Sequence, residues 1–280
     1  MAARLSLAHG RNADDAFMLY GLLTGGVSTG GLKIECRSED IETLNVLAIN
    51  GQVDVSAISV PAYPHVAGEY RLLDSGFAVG DGYGPRLVAR AALDPERQLE
   101  GRVVAVPGRF TAAHLALRLY EPNVEVRFVR FDEVLAYVRD GFADAGVVSH
   151  ESQLAYGDLG LRLLVDLGGW WRRETGLPLP LSGFVVRRAL GDSMARRLRD
   201  YVRASIEYAL GNKQEALEYA LRVSSVPSAG LVANFIGMYV NDRALDLGAD
   251  GRASVIEFLQ RGRRAGRLPE HPTPDFVGGY

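Results

Sequence analysis

The amino-acid sequence predicts an α/β protein of two similar lobes, each a βαβαβ-based sheet flanked by helices, with a ligand cleft between them. Two observations carry this reading. Strand-like and helix-like patterns alternate in the order β, α, β, α, β over residues 4–60, and the same order returns over residues 102–149. Individual residues recur as well: Gly51, Asp54 and Ser59 come back as Gly141, Asp144 and Ser149, each 90 positions later. Common ancestry and shared turn chemistry would both produce such a repeat. Either implies two lobes of one kind.

The elements follow in order. RLSLA (4–8) alternates as a strand, and apolar residues recur at helical spacing from Asp14 to Leu23. LKIECR (32–37) is a strand. DIETLNVLAIN (40–50) is a helix closed by Gly51 in the left-handed position, and VDVSAISV (53–60) is a buried strand. The second unit runs RVVAVP, TAAHLALRLY, VEVRFV, FDEVLAYVRD and ADAGVVS, again with a helix-ending glycine, Gly141. Glycines and prolines in 80–101 and 176–188 mark two crossings between lobes, so lobe one takes residues 1–88 and 187–280 and lobe two takes 89–186. Four helical patterns in 193–211, 213–224, 229–240 and 251–266 are expected to pack on lobe one and latch the lobes together.

Composition limits the function. With 280 residues, 48% of them hydrophobic, the chain can bury a sizeable core. A net charge of −3 from interspersed acids and bases argues against nucleic acid as a partner, and the arginines of 187–203 fall on the polar side of a helix. No window approaches the roughly 20 apolar residues of a membrane span, and the N-terminal stretch lacks an apolar export core, so a soluble, cytoplasmic protein is expected. The single cysteine, Cys36, excludes an internal disulfide and is expected to fill a gap in the core. The five histidines show no HxxxH or HExxH spacing, and no glycine-rich phosphate loop follows a strand, so neither a metal site nor a nucleotide cofactor is predicted.

Ligands of open α/β sheets sit beyond the carboxyl ends of strands. That rule selects the turn from His9 to Asp14 with Asn12, the strand end Ala57, Ile58 and Ser59, the turn from Gly108 to Ala112 with Arg109, and the strand end Ser149 and His150. Thr111 is either a plain N-cap or part of a carboxylate site built from the first N–H groups of its helix. Asp14 and Asp15 are read as first-turn acids that complement the helix dipole, with Asn12 as cap, rather than as an acid/base pair. His150 stands apart. At a strand end in a cleft, its imidazole is suited to general-base work, although a ligand hydrogen bond or a turn-starting role would also place a histidine there.

At this point the residues resemble a known family, the 1,4-dihydroxy-6-naphthoate synthases of the futalosine route to menaquinone, within a wider group that includes chorismate dehydratases and solute-binding proteins. The resemblance covers nearly the whole chain through DDAFMLYGL, EDIETLN, VSAISVPAY, GYGPRLVAR, VAVPGRFTAA, AGVVSHES and DLGGWWRRETGLPLPL. It implies a two-lobe fold like that of type II periplasmic binding proteins. It further implies a cofactor-free lyase that converts cyclic dehypoxanthine futalosine, a small-molecule carboxylate, to 1,4-dihydroxy-6-naphthoate and dihydroxyacetone. On that likeness His150 is the base, Ala57, Ile58 and Ser59 the substrate-contacting strand end, and Thr111 and Ala112 the helix-turn contacts. The first turn, AHGRNADDAF, lacks the prolines and cysteine of the synthases, which keeps two other readings in view: a non-catalytic carboxylate-binding protein and a chorismate dehydratase.

Overall fold

The structure, a computed structural model, describes residues 4–90, 99–270 and 272–278. His271 and residues 91–98 of the first crossing lie outside it.

The first unit is laid down as β1 (Arg4–Gly10), α1 (Ala13–Met18), α2 (Tyr20–Leu23), β2 (Lys33–Glu39), α3 (Ile41–Ile49) and β3 (Val55–Ser59). The second unit is β7 (Val103–Val106), α5 (Ala112–Tyr120), β8 (Glu125–Phe128), α6 (Val134–Arg139) and β9 (Ala145–Val148). In both units the first strand lies between the other two, and all three run parallel. The registers also correspond, since Leu7 faces Val55 and Val104 faces Ala145. Gly51 and Gly141 both take positive φ, at 62° and 87°, as the helix-ending role requires.

Between the units come α4 (Tyr63–Val66), β4 (Tyr70–Leu73), β5 (Ala78–Gly80) and β6 (Arg86–Ala89). After the second unit come β10 (Arg162–Asp166), α7 (Leu167–Thr175) and β11 (Leu179–Arg187). The chain closes with α8 (Gly191–Gly211), α9 (Lys213–Val223), α10 (Ala229–Tyr239), α11 (Asp242–Leu245), α12 (Gly248–Arg264) and β12 (Phe276–Val277). One sheet has the order β12-β4-β11-β3-β1-β2, with β5 on β11; the other has the order β10-β6-β9-β7-β8.

Several expectations are corrected by this arrangement. β6 pairs with β9 and β10, so the first crossing precedes Arg86, and β11 pairs with β3, β4 and β5, so the return precedes Leu179. The boundaries at 88 and 186 therefore cut strands, because they followed glycine and proline positions rather than pairing. The single helix expected over 14–23 breaks at Leu19. The Leu22 N–H, in the next turn, donates to Ser205 Oγ (3.0 Å) on α8, while Gly21 lets the two backbones approach closely. Cys36 is exposed rather than buried, because β2 is an edge strand with its outer face in solvent. His65 lies in α4 with its ring edge-on to Phe110. The C-terminal helices do bridge the units: α9 and α10 pack on α1, and α10 also touches the turn that follows β9.

Candidate active site

The strand ends of the two sheets face each other across a narrow cleft. Its wall takes Arg11, Asn12, Asp14 and Asp15 from the β1–α1 turn, Ser59 from the end of β3, and Thr111, Ala112 and Ala113 from the start of α5. Ser149 and His150 follow β9, and Phe131, Phe235 and Tyr239 complete an aromatic side. Asn12, Ser59, Thr111, Ala112 and His150 are thus brought together as the sequence predicts. The other three expected residues are not among them. Ala57 and Ile58 are buried in the core, paired against Phe184 and Gly183 of β11. Arg109 turns its side chain to an outer pocket with His65 and His114, while its backbone N–H is held by Glu42.

His150 is only 5% exposed although it lines the cleft. Its Nε2 lies 2.8 Å from the Phe131 carbonyl oxygen, and Nδ1 accepts a long 3.4 Å hydrogen bond from the Ser152 N–H. This pattern assigns the proton to Nε2, which donates to Phe131, and leaves the Nδ1 lone pair weakly occupied. The ring also packs edge-on to Phe131, with centroids 5.0 Å apart. Burial pushes the His150 pKa below the ordinary histidine value, against the smaller opposing pulls of Glu151, the Phe131 carbonyl and Asp132. The imidazole is therefore neutral at neutral pH.

Opposite electrostatics hold at Asp14. It is 3% exposed, accepts from Asn12 Nδ2, and has its pKa raised well above the carboxylate range by burial first, then by Asp15 and by Glu151. Asp15 is likewise raised by burial, while nearby His9 and the Gly10 N–H, which donates to Oδ2, pull the other way. Among the described residues no lysine or arginine forms an ion pair with Asp14, Asp15 or Glu151. Burial and neighbouring carboxylates therefore both oppose ionisation of Asp14. An imidazole with a lowered pKa and a carboxyl with a raised one thus line one cleft, the divergence that can divide base from acid.

Glu151 does not face solvent but anchors the turn that carries His150. Its Oε1 accepts from Ser224 Oγ (2.8 Å), the Ser225 N–H (3.2 Å) and Ser225 Oγ (3.4 Å), beyond the end of α9. Gln153, in the same turn, donates from Nε2 to Tyr239 Oη at 3.1 Å. At α5, Thr111 Oγ1 accepts from the His114 N–H (3.2 Å) and donates to the Gly108 carbonyl (2.9 Å). The helix start, Thr111 to Ala113, lines the cleft. Asn12 occupies the N-cap position of α1 but makes no capping bond; its amide serves Asp14 instead.

The sequence matches the model of the menaquinone biosynthesis family over residues 5–264. The chain belongs to that family. It is 39% identical to the 1,4-dihydroxy-6-naphthoate synthase of Thermus thermophilus over 94% of this chain and 96% of that one. It is 34% identical to the enzyme of the same name from Streptomyces coelicolor, over 96% of each. Among solved structures, a protein of Archaeoglobus fulgidus superposes with a TM-score of 0.90 at 38% identity, covering 95% of this chain and 98% of that one. The alkanesulfonate-binding protein of Xanthomonas axonopodis pv. citri superposes with a TM-score of 0.74 at 14% identity, over 97% and 96% of the two chains, a likeness of fold alone. The two-lobe, periplasmic-binding-protein-like fold is thereby established, and membership places the protein among enzymes of menaquinone biosynthesis. Among the described residues no helix is long and apolar enough to cross a membrane.

Sequence reasoning brought the turn as far as Asp14 to the cleft but read Asp14 and Asp15 as helix-dipole acids, and it missed Tyr239, Phe235 and Phe131 altogether. For the acids a signal existed: two adjacent aspartates directly after a strand end, where one helix-dipole acid would suffice. For the aromatic side no local signal existed, since Phe235 and Tyr239 sit four apart on what reads as an ordinary apolar helix face.

Proposed function

We propose that this protein is a 1,4-dihydroxy-6-naphthoate synthase acting as a cofactor-free lyase, in which cyclic dehypoxanthine futalosine is cleaved to the naphthoate and dihydroxyacetone. The observation that carries this reading is His150, a neutral imidazole held at the end of β9 inside a water-poor cleft. In this reading the substrate carboxylate lies at the N-terminus of α5 beside Thr111 and Ala112, where free N–H groups and the helix dipole favour an anion. Its aromatic ring lies against Phe131, Phe235 and Tyr239. Ser59 and Asn12 supply polar contacts from the first lobe.

His150 Nδ1 accepts the substrate proton, a carbon–carbon bond breaks as the electron pair moves, and the departing three-carbon fragment takes a proton. Asp14, whose pKa burial raises well above the ordinary carboxylate value, supplies it. One proton leaves the substrate and one returns, so the cleavage is redox-neutral and consumes no second substrate. The partner in this reading is a small carboxylate, and the reaction takes place in the cytoplasm. Purified protein incubated with cyclic dehypoxanthine futalosine should release 1,4-dihydroxy-6-naphthoate, followed by mass spectrometry. A folded sample that leaves the substrate unchanged refutes the assignment.

A further inference from the structure

Backbone N–H groups at the turn before α5 would suit an anion from outside, yet a carboxylate of the first lobe already occupies two of them. Glu42, on α3, accepts at Oε1 from the Arg109 N–H (2.7 Å) and at both oxygens from the Phe110 N–H (3.2 and 3.1 Å). Its Oε2 also accepts from Asn45 Nδ2 at 3.1 Å. The other end of the Asn45 amide is committed as well, because Oδ1 accepts from the Ser59 N–H at 2.8 Å. A continuous hydrogen-bonded path therefore runs from Ser59, on the first-lobe wall of the cleft, through Asn45 and Glu42 to the turn that delivers Thr111 on the second-lobe wall.

Three N–H donors converge on one group, and only a side chain that accepts at both oxygens satisfies them all. An amide at position 42 would set a donor against Asn45 Nδ2 or against the turn. Asn45 cannot relieve this by turning over, since its oxygen is held by Ser59. Close packing adds to the match. A Cβ at Gly108 would stand 2.5 Å from Glu42 Cδ, so the glycine is what lets the carboxylate reach the turn.

We propose that Glu42 is a positioning residue that latches the two lobes together and fixes Ser59 and Thr111 at the spacing the bound substrate requires. The inference rests on the lyase reading for its kinetic consequences, while its geometric consequence stands without it. Glu42 touches neither His150 nor the reacting atoms. Its loss should therefore reduce the population of the closed, binding-competent form and leave the chemical step largely intact once substrate has closed the lobes.

The test uses Glu42→Ala, Gly108→Ala and the double variant of the full chain, measured by steady-state kinetics and by solution X-ray scattering of the unliganded proteins. With closure lost, apparent affinity falls by the closed fraction, so KM for cyclic dehypoxanthine futalosine should rise about tenfold or more while kcat stays within about threefold. Unliganded Glu42→Ala should also show a larger radius of gyration than wild type. Gly108→Ala should reproduce both effects, yet add nothing in the Glu42→Ala background, because the clash it introduces is with Glu42 itself. A merely structural role would lower the active fraction and kcat while leaving KM alone. An unchanged KM, an unchanged radius of gyration, or additive effects in the double variant would overturn the latch. If wild type itself fails to turn over the substrate, the lyase reading falls, and the scattering comparison still decides the latch.

Discussion

Replacing His150 by glutamine tests the base assignment most directly, because the structure separates its chemical cost from its structural one. A general base contributes typically 10²–10⁴-fold, which corresponds to roughly 2.7–5.5 kcal/mol of barrier, and kcat should fall by that range. The structural cost is smaller. The ring is buried and Nε2–H donates to the Phe131 carbonyl; a glutamine amide can keep that donation, whereas alanine leaves a buried acceptor unpaired at about 1–3 kcal/mol. Glutamine should therefore melt close to wild type and alanine several degrees below it, with both equally inactive.

The pH dependence carries its own sign. Burial lowers the folded-state pKa below the ordinary 6.5, so the base stays neutral at neutral pH and sets an acid limb on which kcat/KM falls only as pH drops below that value, while loss of the Asp14 proton sets the alkaline limb. Stability follows the same direction. Below the unfolded value the unfolded chain binds a proton that the buried ring refuses, so the fold loses stability as pH falls toward the folded pKa. Turnover can be followed by release of the naphthoate, and folding by thermal melting. A well-folded glutamine variant retaining more than about a tenth of wild-type kcat would refute the base role, since even the weakest general bases contribute more.

Three further outcomes are expected. Asp14→Asn should reduce kcat by about 10²-fold as the proton donor is lost. It should also raise the melting temperature at pH 7: the unfolded Asp14 ionises near its ordinary 3.8 while the folded one resists, so wild type loses stability as pH rises and the advantage of asparagine should vanish toward pH 3. Thr111→Ala removes the α5 cap at a cost of about 1 kcal/mol in urea unfolding, and loses a hydroxyl on the cleft wall that should appear as a several-fold rise in KM. Gly168→Ala, at a residue that does not itself line the cleft, places a Cβ against the Tyr83 carbonyl and the Gly84 backbone where neither can yield. It should destabilise by about 3 kcal/mol with kcat unchanged in the folded fraction.

Much of the fold was legible because its rules are local. The helix-ending glycines and the alternation of periods locate α3, β3, α6 and β9 to within a few residues. The lobe crossings were not, since membership of β6 and β11 is decided by pairing with strands up to 131 positions away, as Val55 pairs with Val186. Asp14 and Asp15 were misread for a related reason. A first-turn acid on an exposed helix does complement the dipole, and the rule is sound where solvent is present. Here α9 and α10, some two hundred residues later, cover α1 and exclude that solvent, and no feature of the first turn announces them.

The repeat shows what sets His150 apart from its counterpart in the first unit. In the first unit Asp54 Oδ2 accepts from the Ser6 N–H at 2.9 Å; in the second Asp144 Oδ2 accepts from the Val103 N–H at 3.0 Å. The recurring aspartates thus tie the incoming loop to the central strand, and the recurring glycines end the preceding helices, so the repeated residues build the frame and not the chemistry. The units diverge one position beyond the shared serine. After Ser59 comes Val60, fully buried in the core; after Ser149 comes His150, whose turn is pinned by Glu151 to Ser224 and Ser225 and by Gln153 to Tyr239. A histidine at a strand end would otherwise be free to swing into solvent with an ordinary pKa. Beside the Phe131 contacts, the anchors from the end of α9 and from α10 keep it buried and aimed, and these helices belong to neither copy of the repeat. A binding frame became a candidate catalytic one through a single residue beyond the repeat together with a third segment that holds it in place.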